Sequence, residues 1–204
     1  MRLAAGCVAW FAVAATIAGC SLNRPESAVP VSYDLGPQPS YSRSNPSIPG
    51  ALLIPQVAAP PWLDEERIVY RLLYEDGSRP QAYAMSRWSA EPAALLTARL
   101  RSRFAAASGG VVTPGYGARS DFTLRIELED FSQTFAKPGE SRVALRARAS
   151  LLSTPERKLV AQQLFEFDRG AAPNAAGAVK SLSEAADAFV EAVVAWTVQN
   201  VKKP

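Results

Sequence analysis

The chain has 204 residues, with 22 basic and 19 acidic side chains, two cysteines and no histidine. The absence of histidine excludes Ser-His-Asp and Cys-His catalysis and also histidine-based zinc sites. The nearly balanced charge, without a dense basic run, argues against nucleic-acid binding.

Residues 1–19 have the pattern of a secretory signal, with Arg2 followed by an apolar stretch and small residues. The apolar stretch is shorter than the ~20 residues that span a bilayer comfortably. The sequence Ile17-Ala18-Gly19-Cys20 resembles the bacterial lipobox, in which small side chains fit a peptidase cleft and the cysteine thiol is acylated. A weak membrane anchor, or a plain signal peptide with a chance cysteine, is the alternative.

Cleavage before Cys20 would leave this residue at the N-terminus, carrying a diacylglycerol on sulfur and an N-acyl chain, such as palmitate, on its amine. One acyl chain anchors only marginally, whereas two or three hold a protein on a membrane. Because Cys20 is then the only cysteine, no disulfide forms within the chain. The residue after Cys20 is Ser21 and not an aspartate. This resembles the pattern of lipoproteins that are sent to the periplasmic face of the outer membrane.

Proline and serine are frequent between the lipobox and residue 49. We predict a tether over 20–30, a strand over 31–36 and a flexible loop over 37–49. The strand is indicated by apolar residues at alternate positions. A ten-residue tether spans at most ~35 Å, so the domain that follows stays near the membrane.

The next segments predict strands. The apolar run 51–60 contains a proline, which favours an edge strand or a bulged strand. Alternating residues from 67 to 75 and again from 81 to 88 predict a hairpin around the turn at 76–80.

A helix is predicted from an N-cap at Ser89 to Ser108, ended by two glycines. Its apolar face repeats every four residues, and its three arginines spread over the other faces. The apolar residues are Leu96, Leu100 and Phe104, and the arginines are Arg99, Arg101 and Arg103. A short strand is expected at 111–112.

Three long strands follow, over 121–135, 141–152 and 159–170, with the clearest alternation in the chain. A phase slip predicts a bulge near Glu129 and Asp130. The second strand points apolar residues inward and arginines outward, where Arg142, Arg146 and Arg148 would face Glu127 and Glu129 across strands. The inward set is Val143, Leu145, Ala147, Ala149 and Leu151.

A closing helix is predicted over 174–202, with an apolar stripe that covers a sheet. The stripe consists of Leu182, Ala186, Phe189, Val193 and Trp196, and we expect Trp196 in the core. The fold class is therefore α+β: a mainly antiparallel sheet covered on one face by two helices, as a single domain over 31–204 behind a lipid-anchored N-terminal tether.

Paired carboxylates are the enzyme chemistry that remains without histidine. The candidates are Asp64, Glu65 and Glu66 in one group and Glu127, Glu129 and Asp130 in the other. We expect both groups to be solvated surface or strand-edge side chains. The sequence thus predicts no enzyme, no metal and no cofactor apart from the acyl chains on Cys20.

The order and spacing of several segments resemble the ABC-type transport auxiliary lipoproteins. The segments are the lipobox, "YDLGP", "PPWLD", "IVYRL", "YAMSRWSAEPAALLTARL" and "LEDF". The positions that carry the resemblance are Leu35, Gly36, Trp62, Leu63, Asp64, Tyr83, Arg87, Trp88 and Pro92. The loop 37–49 is a poor match.

The resemblance implies a non-catalytic accessory component of a transporter that carries MCE (mammalian cell entry) domains and moves phospholipid or sterol-like lipids between membranes. The implied partners are an MCE-domain protein and its ABC permease and ATPase, and a homo-oligomer is left open. Trp62, Tyr116 and Trp88 are candidate partner-binding residues, although the role we favour for Trp88 is to fix the start of the first helix. The alternatives are a lipoprotein that activates a cell-wall synthase or assists outer-membrane assembly, and direct lipid carriage in an apolar cavity.

Overall fold

The computed structural model of the chain describes residues 29–39, 48–115 and 117–201. The predicted leader 1–19, Cys20, the predicted tether up to residue 28, most of the predicted loop 37–49 and Tyr116 lie outside the described residues.

The three long strands form an antiparallel meander, as predicted. They are β6 (Phe122–Lys137), β7 (Glu140–Ser153) and β8 (Lys158–Ala171). A register shift between Leu128 and Asp130 confirms the predicted bulge. All five inward residues of β7 are buried, so the alternation identified the core face of this strand correctly.

The other edge of β6 is shared by two shorter strands that both run parallel to it. Strand β2 (Ile48–Leu53) pairs with the beginning of β6 and β3 (Arg67–Leu72) pairs with its end. Between them, Ala58 bridges to Glu127. One long strand therefore connects two separate groups of short strands.

Each short strand brings further partners into one eight-stranded sheet. Strand β5 (Ser108–Val112) pairs with β2 in the parallel direction. Strand β4 (Gln81–Trp88) pairs with β3 in the antiparallel direction. Strand β1 (Val31–Tyr33) pairs with β4 in the parallel direction and completes the sheet. The sheet is mixed, so the prediction of a mainly antiparallel sheet is wrong. The parallel pairs join segments that are distant in sequence, and local alternation does not indicate how such segments pair.

Two predicted strand details also need correction. The run 51–60 does not form an edge strand, because β2 lies between β5 and β6 and ends at Leu53, before Pro55. Strand β2 starts at Ile48, inside the predicted flexible loop, and β1 stops at Tyr33 where a strand to residue 36 was expected.

The described residues contain three α-helices and one short 3₁₀ turn. They are α1 (Leu73–Asp76), α2 (Pro92–Ala107), α3 (Ala175–Val201) and the 3₁₀ turn Pro61–Leu63. The single-turn helix α1 was predicted as strand. The N-cap of α2 is Glu91 and not Ser89, whose backbone N–H instead donates to the carbonyl of Tyr33 at 2.6 Å.

The long helix α3 closes the core against the meander. Its predicted stripe is buried, and the ring of Trp196 meets Phe165 edge-on at 6.0 Å, which confirms the core role of this tryptophan. Helix α2 buries Leu96, Leu100 and Phe104, as predicted, and contacts β5 and α3.

The pairing directions define two ends of the sheet. Strands β3, β6 and β8 all finish at the end where α1 lies, and we call this the α1 end. Strand β4 starts at the α1 end and runs away from it, and β1 runs parallel to β4 beside its last three residues. The β7–β8 turn lies at the opposite end.

Candidate functional site

The candidate docking residue Trp62 lies in the 3₁₀ turn that leads into β3. Pro60 and Pro61 fix the backbone there, because their rings hold φ near ~−65°, and the N–H of Leu63 donates to the carbonyl of Pro60 at 2.9 Å. Leu63 is buried and anchors the turn. Trp62 is partly buried against the core and keeps part of its ring in solvent.

Arg71 of β3 connects Trp62 to the α1 end. Its guanidinium carbon lies 4.8 Å from the centroid of the Trp62 ring, within the range of a cation–π contact. The same guanidinium donates to the carbonyls of Gly77 and Ser78, at 3.2 and 3.3 Å. Trp62 is thus held in a fixed position, which reduces the entropy that a side chain loses when it binds a partner.

Asp130 adds a carboxyl to the same region, at the bulge of β6. Burial raises the pKa of Asp130, and the Ser132 hydroxyl, which donates to it at 2.7 Å, together with the charges of Arg71 and Arg146, partly offsets that increase. The surface formed by Trp62, Arg71 and Asp130 therefore combines an aromatic ring, a cation and a partly buried acid. We call it the Trp62 surface.

Three of the six carboxylates considered as catalytic pairs lie in ion pairs. Glu65 contacts Arg67 at 2.6 Å and Glu66 contacts Arg87 at 3.6 Å. Glu129 accepts from Arg148 at 2.8 Å, which confirms the predicted pairing between these strands, and Arg146 pairs with Glu166 of β8. Such exposed pairs are typical of a solvated sheet face.

The other two candidate docking residues differ from Trp62. Trp88 has no exposed surface and packs 5.5 Å from Phe131, so it cannot contact a partner on this surface. That prediction needs correction, because Trp88 ends β4 and belongs to the core. Tyr116 lies outside the described residues.

A buried arginine is the main feature that the sequence analysis missed. The side chain of Arg99 is 3% exposed, although all three arginines of α2 were predicted on outer faces. It donates to the carbonyls of Leu35 and Gly36, at 2.6 and 2.8 Å, and pairs with Asp187 of α3. Arg99 thereby fastens the segment after β1 to both long helices.

A matching spacing could have indicated this arrangement. Arg99 and Arg103 lie four residues apart on α2, and their acceptors Asp187 and Glu191 lie four residues apart on α3. Residues four apart share one face of a helix. Two such pairs predict that α2 and α3 pack side by side in the same direction.

A groove of about 600 Å³ opens beside the Arg99 contacts. One wall is formed by residues 32–36 and the other by the part of α3 from Val179 to Asp187. Its charged lining residues are Asp34, Lys180, Glu184 and Asp187. The groove is open and of mixed polarity, unlike an enclosed apolar cavity that would hold a lipid tail.

Comparison with known families decides the classification. A family model described as "ABC-type transport auxiliary lipoprotein component" matches residues 33–194, from the end of β1 into α3. The chain belongs to this family. No curated protein matches the chain.

Solved structures support the fold of this auxiliary lipoprotein. A protein from Xanthomonas campestris is 19% identical, with a TM-score of 0.73 over 83% of this chain and 96% of that chain. An uncharacterized protein is 17% identical, with a TM-score of 0.61 over 82% of this chain and 98% of that chain.

The described helices do not include a membrane span. Over the described ranges, no helix of this auxiliary lipoprotein combines the length and the apolar character that crossing a bilayer requires.

Proposed function

We propose that this protein is a lipid-anchored, non-catalytic component of an MCE-type ABC transporter that moves phospholipid or sterol-like lipids between membranes. The observation that carries the proposal is the family match over residues 33–194, which spans nearly the whole described domain. In this proposal the acyl chains on Cys20 hold the domain on the periplasmic face of the outer membrane. The domain then docks the periplasmic MCE-domain protein of the transporter.

A membrane anchor allows a non-catalytic protein to act by keeping it close to its partner. A protein confined to a membrane surface meets its partner at a raised effective concentration, so a modest docking contact is sufficient. The short tether limits the domain to the region next to the membrane. The Trp62 surface is the described feature best suited to docking, because aromatic and arginine side chains are enriched among residues that dominate binding energy.

The anchor is tested by Cys20→Ser in the native envelope. We expect the variant to leave the membrane fraction and to lose support of transport, measured as increased sensitivity of the cells to detergents. Ser21→Asp is the matched control for the destination, since it keeps the acyl chains and is expected to move the protein to the inner membrane in a density gradient. Membrane fractionation and transport that are unchanged in Cys20→Ser would contradict the proposal.

Docking is tested by affinity purification of the anchored protein. We expect the wild type to recover an MCE-domain protein and Trp62→Ala to lose at least about tenfold in affinity, as expected for a central aromatic contact. Trp62→Phe retains an aromatic face for Arg71 and is expected to retain most of the binding. Recovery of a cell-wall synthase in place of the transporter would favour the alternative adaptor function.

A further inference from the structure

Large apolar side chains that lie in solvent are unevenly distributed over the described residues. Five of the seven belong to the side of the sheet made by β1, β4, β3 and α1, and two lie at the start of β8, at the opposite end. The five are Val29 (83% exposed), Val31 (54%), Leu73 (52%), Tyr74 (43%) and Met85 (47%), and the two are Leu159 (51%) and Val160 (38%). Among the five, Leu73 and Tyr74 are adjacent on α1, whereas Val31 and Met85 lie near the last residues of β4. Adjacent exposed apolar groups mark interaction surfaces more often than single ones do.

The pair on α1 is held in place by polar contacts. Arg71 donates to the two carbonyls that follow the helix, at Gly77 and Ser78. Asp76 accepts from the backbone N–H of Ser78 at 2.9 Å and from its hydroxyl at 2.5 Å. These contacts fix the turn on which Leu73 and Tyr74 lie exposed.

The direction of β1 shows where the preceding chain comes from. β1 runs parallel to β4, with Val31 opposite Ser86, and β4 starts at the α1 end. Followed backward from Val31 to Val29, the chain therefore leads toward the α1 end. Val29 lies nine positions after Cys20, which corresponds to at most about 32 Å when the chain is extended.

We propose that the α1 end faces the lipid surface to which Cys20 anchors the chain, and that Leu73 and Tyr74 insert into the interfacial layer of the bilayer. The inference rests on the acylation of Cys20 in the proposed function. A lipid surface is the occupant that the tether keeps within reach of this end. Tyrosine suits the position, because its ring prefers the boundary between lipid tails and water.

The charges near α1 indicate which lipids the contact requires. The turn after β3 carries Glu75, Asp76 and Arg79, and Lys137 at the adjacent β6–β7 turn is paired with Glu140 at 2.7 Å. These charges nearly balance, so the contact depends on apolar burial and does not require anionic headgroups.

The experiment places an environment-sensitive fluorophore at either end of the anchored, full-length protein. Leu73→Cys and Leu159→Cys are a matched pair, since the two leucines are almost equally exposed and lie at opposite ends. Acylation occupies the Cys20 sulfur, so the introduced thiol is the only one in the mature chain that can be labelled. Each protein is reconstituted into phosphatidylcholine vesicles that contain a spin-labelled phosphatidylcholine.

We expect the spin-labelled lipid to quench the label at position 73 by more than about half and to leave the label at position 159 nearly unquenched, because interfacial side chains lie about 5–10 Å inside the headgroup boundary. Adding Tyr74→Asp to the Leu73→Cys protein is expected to reduce the quenching, while the protein still floats with the vesicles.

Each other outcome contradicts the inference in a distinguishable way. Equal quenching at both positions, or stronger quenching at 159, overturns the orientation while the anchored accessory function stands. A label at 73 that changes only when a partner protein is added identifies the α1 end as a protein-docking surface. A protein that does not float with the vesicles overturns both this inference and the proposed anchoring.

Discussion

The meander and the β1–β4–β3 side of the sheet are held together in different ways. In the meander, β6, β7 and β8 follow one another in the chain and pair along almost their whole lengths. On the other side, β1 is three residues long and pairs with β4, and the buried Arg99 holds the residues that follow it. The comparison shows that regular local pairing and a few buried polar contacts support different parts of one sheet.

The largest expected effect comes from Arg99→Ala. The variant leaves the carbonyls of Leu35 and Gly36 without their donor, while Asp187, which is 39% exposed, can be solvated. Each buried acceptor left unpaired costs about 1–3 kcal/mol. We expect this loss in the free energy of unfolding, measured by chemical denaturation, and early hydrogen exchange at residues 31–36 with little change in the meander.

Arg103→Ala is the matched control for Arg99, one helical turn away. Its side chain is 21% exposed and pairs with the half-exposed Glu191 at 2.7 Å, so we expect a loss of about 1 kcal/mol or less. Equal losses for the two variants would show that the buried contacts of Arg99 do not hold the β1 segment.

Tyr83→Phe is expected to have an intermediate effect at the junction of β4 and β6. The Tyr83 hydroxyl donates to Gln133 at 2.6 Å, and Gln133, which is fully buried, donates in turn to Ser141 and to the carbonyl of Ala172. Leaving a buried acceptor unpaired costs about 1–3 kcal/mol, measurable by urea denaturation at neutral pH.

The same variant has a distinct pH signature. Burial raises the pKa of Tyr83 to about 12 from a model-compound value of 10.0, so the unfolded phenol ionises first. This contribution to stability is present below pH 10 and is lost as the pH rises toward 12. The wild type should therefore lose more stability than Tyr83→Phe over this range. Parallel curves for the two proteins would contradict the burial of this hydroxyl.

Asp130→Asn is expected to have the smallest effect, where the two regions meet at the bulge. Because burial raises the pKa of Asp130, protonation favours the folded state. The stability that this group contributes is present at acid pH and is lost as the pH rises through its folded pKa. As the pH is lowered, the free energy of unfolding of the wild type should therefore increase relative to that of Asp130→Asn.

Ser132→Ala sharpens the Asp130 experiment. It removes the hydrogen bond that lowers the pKa of Asp130 and should enlarge the pH dependence. A pH dependence that is unchanged in both variants would mean that the carboxyl is solvated.

The sequence predicted most accurately the elements that show a regular apolar pattern within their own residues. The alternation of β7 identified its five inward apolar residues, and the stripe of α3 identified its buried face. The parallel pairs of β2 with β5 and β6 were missed, because they join segments separated by α2 or by some 70 residues. Helix α1 was missed because a single turn has too few residues to show a helical period.

The candidate site was predicted less well than the fold. Trp62 was expected at the surface and retains an exposed part. Trp88 lies in the core and was not distinguished from a binding residue, because an aromatic side chain at a strand-to-helix junction is compatible with core packing and with partner binding. Arg99 was placed outside because arginine is rarely buried. Only its acceptors, which lie some 64 and 88 residues away in sequence, explain why it is buried here.

The position of β6 has a consequence for the order of folding. β2 and β3 both depend on β6 for a neighbour, but the ribosome completes them many residues before β6 exists. Until residues 122–137 are made, the hydrogen-bonding edges of these strands have no native partner in the meander, and such open edges are prone to wrong association. Because the proposed leader directs export, we expect the chain to depend on a chaperone until β6 has reached the periplasm.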